Sequence, residues 1–148
     1  MSLENAVYEF IQAQVDASSP NSAISNSLVH ADTYEEILKG SKWIRVDDVM
    51  RSEPSVLPNN TSIREFNAFL EVQCVVKPNS QSLIDRREAR YSATAMANAL
   101  TLLIFNNQNL NDTNGFICDC VVKQKRNEWR KVGQVKHAVS FLLLQINL

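Results

Sequence analysis

The chain has 148 residues, 45% of them hydrophobic and 21% charged, and its formal net charge is −1. This size and composition suit one globular domain with a single core, and we expect residues 1–148 to form one α+β domain. The balanced charge gives no indication of a dedicated nucleic-acid or anionic-membrane protein. No apolar run reaches the ~20 residues that a membrane span needs, so we expect no membrane partner.

Cellular location is predicted from the amino terminus and the cysteines. The first residues lack the basic and apolar regions of a signal peptide. The three cysteines are an odd number, which disfavours a disulfide framework. We therefore expect the protein to be made and kept in a reducing cytoplasm.

The first half of the chain alternates helical patterns with polar connections. Apolar residues recur at helical spacing from Leu3, and Ser18-Ser19-Pro20 ends that pattern. Asp32 and Glu35 have the spacing of a helix cap. The predicted elements are a helix over residues 3–17, a loop over 18–31, a short helix over 32–40, a strand over 42–50 and a long connection over 51–62.

The clearest strand signal covers residues 63–77. Leu70, Val72 and Cys74 alternate with Glu71 and Gln73, which is the period of two that a strand produces. One face of this strand is therefore predicted to be dry and the other mostly wet.

A long helix is predicted over residues 82–105. Ser82 can cap its first turn, where Asp85 also lies. The helix is rich in alanine, and such small side chains allow a helix to approach a sheet closely. We expect an antiparallel sheet of about four strands, with this helix packed on it and the helix over residues 3–17 added.

The chain is predicted to close with an antiparallel hairpin that pairs residues 116–125 with residues 134–148. Residues 123–131 between them contain five cations and Glu128 as the only acid, so we expect a strongly basic tip. The second strand is apolar on both faces from Ala138 to Leu144. This pattern predicts a strand covered on both sides, by helices or by another subunit.

No catalytic constellation stands out, and we expect no catalytic residue, no cofactor and no metal. His30 and His137 have no Cys, Asp or Glu at ligand spacing. Cys118 and Cys120 lack a second pair and are interpreted as buried apolar residues. Cys74 could act as a nucleophile only with a histidine nearby.

Two groups of charged and apolar residues are candidates for contact with partners. If neither group has a function, the arginines at the start of the long helix form a solvated helix face and the basic tip is a solvated turn. If they do have one, the arginines form an intersubunit salt bridge and the tip contacts an acidic partner or DNA. The candidate interface residues are Arg86, Arg87, Arg90, Val139, Phe141 and Leu143, and the candidate partner or DNA contacts are Lys123, Lys125, Arg126, Trp129, Arg130 and Lys131.

The order of these elements resembles that of the tail terminator and tail-completion proteins of long-tailed bacteriophages. The resemblance covers the helix over residues 3–17, the strand, turn and helix over 66–105, and the closing hairpin. In that hairpin, Gly115 opens a strand that leads to the charged tip with Trp129, and residues 136–146 return as an aliphatic strand.

The resemblance implies a structural virion protein and not an enzyme. Such proteins form a ring, commonly a hexamer, that ends polymerisation of the tail tube and joins the tail to the head. Its partners would be copies of itself, the tail-tube protein and a head-completion protein, with the genome passing through the ring. Assembly would take place in the bacterial cytoplasm, and the final location would be the virion tail.

Two other interpretations stay open at this stage. One is a small oligomeric α+β enzyme or ligand-binding domain with a site between subunits, for which a pocket lined by His137, Cys74 or Arg90 would argue. The other is a nucleic-acid-binding adaptor that uses the basic tip. Because exposed charges change stability little, reversing Lys125, Arg126 and Arg130 to Glu is expected to leave folding nearly intact.

Overall fold

The computed structural model describes residues 3–31, 41–51, 55–56, 64–65, 67–106, 109–111, 117–132 and 134–147. These residues form an α+β fold in which two helices cover one face of a six-stranded sheet. A separate pair of two-residue strands completes the described structure. The elements are α1 (Leu3–Ala17), β1 (Leu28–Ala31), β2 (Lys42–Arg51), β3 (Ser55–Val56), β4 (Arg64–Glu65), β5 (Asn67–Val76), α2 (Leu83–Asn106), β6 (Asn109–Asn111), β7 (Ile117–Val132) and β8 (Val135–Asn147).

The sheet is mixed, whereas the sequence predicted an antiparallel one. Its strand order is β1-β2-β5-β8-β7-β6, and the four long central strands are antiparallel, as expected. The short strand β1 adds to one edge in parallel to β2. β1 replaces the end of the predicted loop over residues 18–31, and it was not predicted because its four residues follow a polar segment and are too few to establish a period of two.

Both predicted helices that fall in the described residues are confirmed. The hydroxyl of Ser82 accepts a hydrogen bond from the backbone N–H of Asp85 at 3.2 Å, so Ser82 caps α2 as expected. Ala89, Ala93 and Ala97 are buried against the sheet, and their small size sets the close approach of α2. Among the residues of α1 whose burial is described, Val7, Ile11 and Val15 are buried.

We call the side of the sheet covered by α1 and α2 the helix face and the other side the open face. Leu70, Val72 and Cys74 of β5 lie in the core on the helix face, as their alternation predicted. On the open face, however, Gln73 and Val75 are also buried, so the prediction of a mostly wet face is wrong there. A second apolar cluster on that face joins Trp43, Val75, Val139 and Phe141.

The closing hairpin is longer and tighter than expected. β7 continues to Val132, past residue 125 where the sequence predicted the strand to end, and the chain turns between Val132 and Val135. The charged segment is therefore a strand and not a tip. The predicted helix over residues 32–40 and most of the predicted connection over 51–62 lie outside the described residues.

Candidate functional site

The cations of β7 are divided between the two faces of the sheet, because alternate residues of a strand point to opposite sides. Arg126 and Arg130 lie on the open face, where they stack over Phe141. Lys125 and Trp129 lie on the helix face, opposite Leu142 and Ala138 of β8. The sequence therefore predicted one basic surface where the structure has two.

The two open-face arginines bind β7 to β5 across the intervening strand β8. Their guanidinium carbons are 4.2 Å and 5.7 Å from the ring centroid of Phe141. Nη2 of Arg126 lies 3.4 Å from Oε2 of Glu71, and Nη1 of Arg130 donates to Oε1 of Gln73 at 2.9 Å. Nε2 of Gln73 in turn donates to Oε1 of Glu71 at 2.9 Å, which closes the network.

This network covers the apolar open face within the chain itself. Arg45, Gln73, Phe141 and Arg126 occupy one cross-strand row, and all but Arg126 are buried. The aliphatic stems of long side chains can cover apolar surface while their charged ends stay hydrated. The second apolar face of β8 is thus covered without another subunit. The sequence missed Arg45 because arginine is rarely fully buried.

The helix face of β7 forms a pocket with the first turns of α2, which we call the arginine pocket. It has a volume of about 280 Å³ and is lined by Leu83, Arg86, Arg87, Arg90 and Trp129. Spacings of three and four residues place these α2 positions on the side of the helix that faces β7. The structure thus brings together two groups that the sequence treated as separate candidates.

The electrostatics of the arginine pocket favour a bound anion. Three arginines lie near the positive end of the α2 dipole and outnumber Asp85 and Glu88 there, so the net charge of this helix end is positive and an anion would be stabilised. Within the described part of the chain, Nε of Arg86 is shielded from solvent and has no hydrogen-bond acceptor. Arginine presents several N–H donors to a carboxylate at once, so a carboxylate partner would suit this pocket.

A stripe of apolar side chains beside the pocket is left in solvent. We call it the outer stripe of α2, and it runs from Ile84 to Phe105 over about 32 Å of helix. Single exposed apolar residues are common on protein surfaces, but an extended apolar helix face marks a binding surface more often. Its side chains, with the adjoining Leu83, are 62–69% exposed: Leu83, Ile84, Tyr91, Leu102 and Phe105.

A second concave surface lies at the opposite edge of the sheet, at the carboxyl end of α1. This cleft, which we call the acidic cleft, has a volume of about 550 Å³. Asp16 is exposed on its rim, and the last turn of α1 contains no basic residue, so only neutral donors such as the Ser18 hydroxyl, which donates to the Val15 carbonyl at 2.6 Å, meet the negative end of the helix dipole there. Val15 and the half-exposed Leu28 supply apolar lining. None of the residues that line this cleft was a candidate predicted from the sequence.

The lysines of β7 have an alternative explanation that needs no partner. β6 pairs only with residues 117–119 of β7, so no described strand covers the outer edge of β7 beyond that point. Exposed sheet edges invite pairing with other chains, and lysine side chains along an edge prevent it. Lys123, Lys125 and Lys131 fit this protective role, and Lys125 also donates to Oδ1 of Asn98 at 3.3 Å.

The candidate interface residues differ in their exposure to solvent. Val139 and Phe141 are buried beneath the chain's own side chains and offer no surface to a partner, and Leu143 is partly buried. Arg87 and Arg90 are exposed beside the outer stripe. An interface on this chain would therefore involve α2 and not the open face of β8.

The structure separates the residues that a nucleophilic mechanism would have to combine. Cys74 lies in the core on the helix face, and burial raises the pKa of its thiol to about 12, so it stays neutral. His137 is buried on the open face, where its ring is 5.6 Å from that of Trp43. The sheet lies between the two side chains, so His137 cannot activate Cys74.

His137 should make stability depend on pH. Burial lowers the pKa of its imidazole below the ordinary 6.5, a contact with the Val135 carbonyl raises it, and the charges of Lys77 and Arg130 lower it. The unfolded chain therefore binds a proton more readily, so acid favours unfolding through this group. We expect the free energy of unfolding to fall as the pH drops below 6.5, and to fall less in a His137→Asn variant.

Urea unfolding of both proteins at about pH 7.5 and about pH 5.5 measures this effect. The stability advantage of the unsubstituted chain over His137→Asn should narrow in acid. An advantage that stays constant or widens would show that the imidazole is not held neutral.

The described residues contain no group of three or more His, Cys, Asp or Glu side chains placed to hold a metal ion. Neither α1 nor α2 combines the length and the hydropathy of a membrane-spanning helix.

No protein-family model matches the chain, and no curated protein has significant sequence similarity to it.

Proposed function

We propose that this protein is a structural subunit that assembles with copies of itself into a ring, as the tail terminators of long-tailed bacteriophages do. The observation that carries the proposal is the outer stripe of α2. Five large apolar side chains are left in solvent along one helix: Leu83, Ile84 and Tyr91 lie beside three arginines, and Leu102 and Phe105 lie near the other end of the helix. A surface that is apolar in the centre and charged at the margin has the composition of a protein interface.

The layout of the chain supports a ring better than a two-fold dimer. The arginine pocket and the acidic cleft are different surfaces at opposite edges of the sheet. A contact between two different surfaces repeats from subunit to subunit, and it closes into a ring when the rotation between subunits divides a full turn. A contact that stops at two subunits needs one surface that is complementary to itself.

Within this proposal the ring is a hexamer that binds the end of the tail tube on one side and a head-completion protein on the other. It performs no catalysis and uses no cofactor. The genome passes through its central channel, and the exposed lysines of β7 are the candidates for transient contact with the DNA phosphates. The support for these finer assignments is the resemblance in element order described above.

The alternative of an enzyme with a site between subunits has weaker support. Arg90 does line a pocket, but the other two residues named for that alternative, Cys74 and His137, lie on opposite faces of the sheet. A carboxylate side chain from a neighbouring protein accounts for the arginine pocket equally well. We therefore retain the structural role.

Electron microscopy of infected cells tests the proposed function. A stop codon early in this gene, in a virus that encodes it, should produce filled heads separated from tails, with tail tubes that exceed the normal length. Supplying the protein from a plasmid should restore complete particles. Normal particles from the mutant virus would contradict the assignment to tail termination.

A further inference from the structure

We propose that the ring is held together by a head-to-tail contact in which the arginine pocket and Tyr91 of one subunit dock into the acidic cleft of the next copy. The inference rests on the proposed function and identifies the surfaces through which the subunits meet.

The two surfaces lie at the same level on opposite edges of the sheet. A single row of paired residues crosses the sheet from Leu28 through Trp43, Val75 and Val139 to Glu128. Leu28 lines the acidic cleft, and Trp129 of the arginine pocket directly follows Glu128. The surfaces are therefore at the same level on the two lateral edges, separated by four strand spacings or about 19 Å. Copies placed side by side would bring them together.

The two surfaces carry opposite net charges. The pocket presents Arg86, Arg87 and Arg90 at the positive end of α2, where they outnumber the neighbouring acids Asp85 and Glu88. The cleft presents the carboxylate of Asp16 at the negative end of α1, where Oδ1 accepts a hydrogen bond from Nε2 of Gln12 at 3.0 Å and the last turn contains no basic residue. Each surface thus combines charged side chains with a helix end of the same sign, and the two signs are opposite. Pairing them relieves repulsion within each subunit.

The two surfaces also have apolar parts that can match. Tyr91 is exposed beside Arg87 and Arg90, and aromatic residues next to arginine are frequent energetic centres of interfaces. The acidic cleft is large enough to receive a tyrosine side chain, and Val15 and Leu28 provide apolar walls.

Charge reversal with rescue tests this contact. The first variant, Arg87→Glu/Arg90→Glu, alters the pocket, and the second, Asp16→Arg, alters the cleft. Each should raise the concentration needed for assembly by roughly tenfold or more, because a charged pair becomes a like-charged one. A third variant that carries all three substitutions should recover much of the lost assembly, because opposite charges then face each other again. Mass photometry over a dilution series measures the assembly.

Lys77→Glu is the matched control, because it reverses an exposed cation outside both surfaces and should assemble like the unsubstituted chain. Circular dichroism confirms that every variant is folded. If rings persist in both reversed variants, the proposed contact is wrong and the proposal that the protein forms a ring is retained. If the unsubstituted chain stays monomeric at all concentrations and beside tail tubes, the proposed function itself fails. If the pocket variant assembles normally but loses binding to random-sequence duplex DNA, the pocket is a phosphate site and the contact is overturned.

Discussion

Replacing Phe141 with alanine should lower the free energy of unfolding by about 3–5 kcal/mol, the usual cost of removing a buried phenylalanine. Phe141 is buried on the open face of the sheet, where it packs in the cluster with Trp43 and supports the guanidinium groups of Arg126 and Arg130. The substitution leaves a cavity and removes the aromatic surface on which the arginines stack. Chemical denaturation of the monomer measures the loss.

Phe105→Ala is the control for this experiment. Phe105 is exposed on the outer stripe of α2, so its replacement should change monomer stability by within ~0.5 kcal/mol. Comparable losses in the two variants would mean that Phe141 is not enclosed by the chain's own arginines. The open face of β8 would then remain a candidate interface.

Reversing both open-face arginines, in the variant Arg126→Glu/Arg130→Glu, should destabilise the monomer by about 2–4 kcal/mol. The variant loses the stacking on Phe141 and the hydrogen bond to Gln73, and it places a carboxylate beside Glu71. The ion pair with Glu71 is itself a small part of this loss, because the Arg126 side chain is 53% exposed and solvent screens the pair.

Lys123→Glu/Lys125→Glu provides a matched comparison with the same change in net charge on the same strand. Both lysines are exposed, so this variant should stay within ~0.5 kcal/mol of the unsubstituted chain. Thermal unfolding separates the two cases by several degrees. Equal melting temperatures would contradict the assignment of a stabilising role to Arg126 and Arg130 and not to the exposed lysines of β7. We therefore expect reversal of Arg126 and Arg130 to destabilise the fold, whereas the sequence predicted that folding would stay nearly intact.

Several elements were predictable because their residues repeat with a clear period. Helical spacing indicated α1, alternation indicated the helix face of β5, and Ser82 marked the start of α2. The alanines at positions 89, 93 and 97 correctly indicated close packing of α2 on the sheet. In these segments the local preference of the chain agrees with its tertiary contacts.

The distal half of β7 was missed for a physical reason. Its residues are charged on both faces, so the contrast between apolar and polar positions that indicates a strand is absent. The available signal was the alternation of Arg126 and Arg130 with Lys125 and Trp129, followed by Gly133 as a turn residue. Long cationic side chains can occupy an exposed sheet edge or cover an apolar face, and composition does not distinguish these roles.

The acidic cleft could not be predicted because its shape depends on how an irregular segment folds back on α1. Asp16 lies in the last turn of α1, whereas Leu28 begins β1 after the irregular residues 18–27. Each is unremarkable in the sequence, and only the folded chain brings them to one concave surface. The same holds for the arginine pocket, where Trp129 reaches α2 from a strand far along the chain.

Cross-linking between two engineered cysteines tests the head-to-tail ring most directly. The positions are Ala17, exposed beside the acidic cleft, and Ile84, exposed beside the arginine pocket. In a Cys118→Ser background, the remaining Cys74 and Cys120 are buried and should not react. A bis-maleimide reagent applied to the Ala17→Cys/Ile84→Cys variant should produce a denaturing-gel ladder that extends past the dimer and ends at the ring size. Either single-cysteine variant should stay monomeric on the gel. A ladder that stops at the dimer, or dimers from a single-cysteine variant, would contradict head-to-tail assembly.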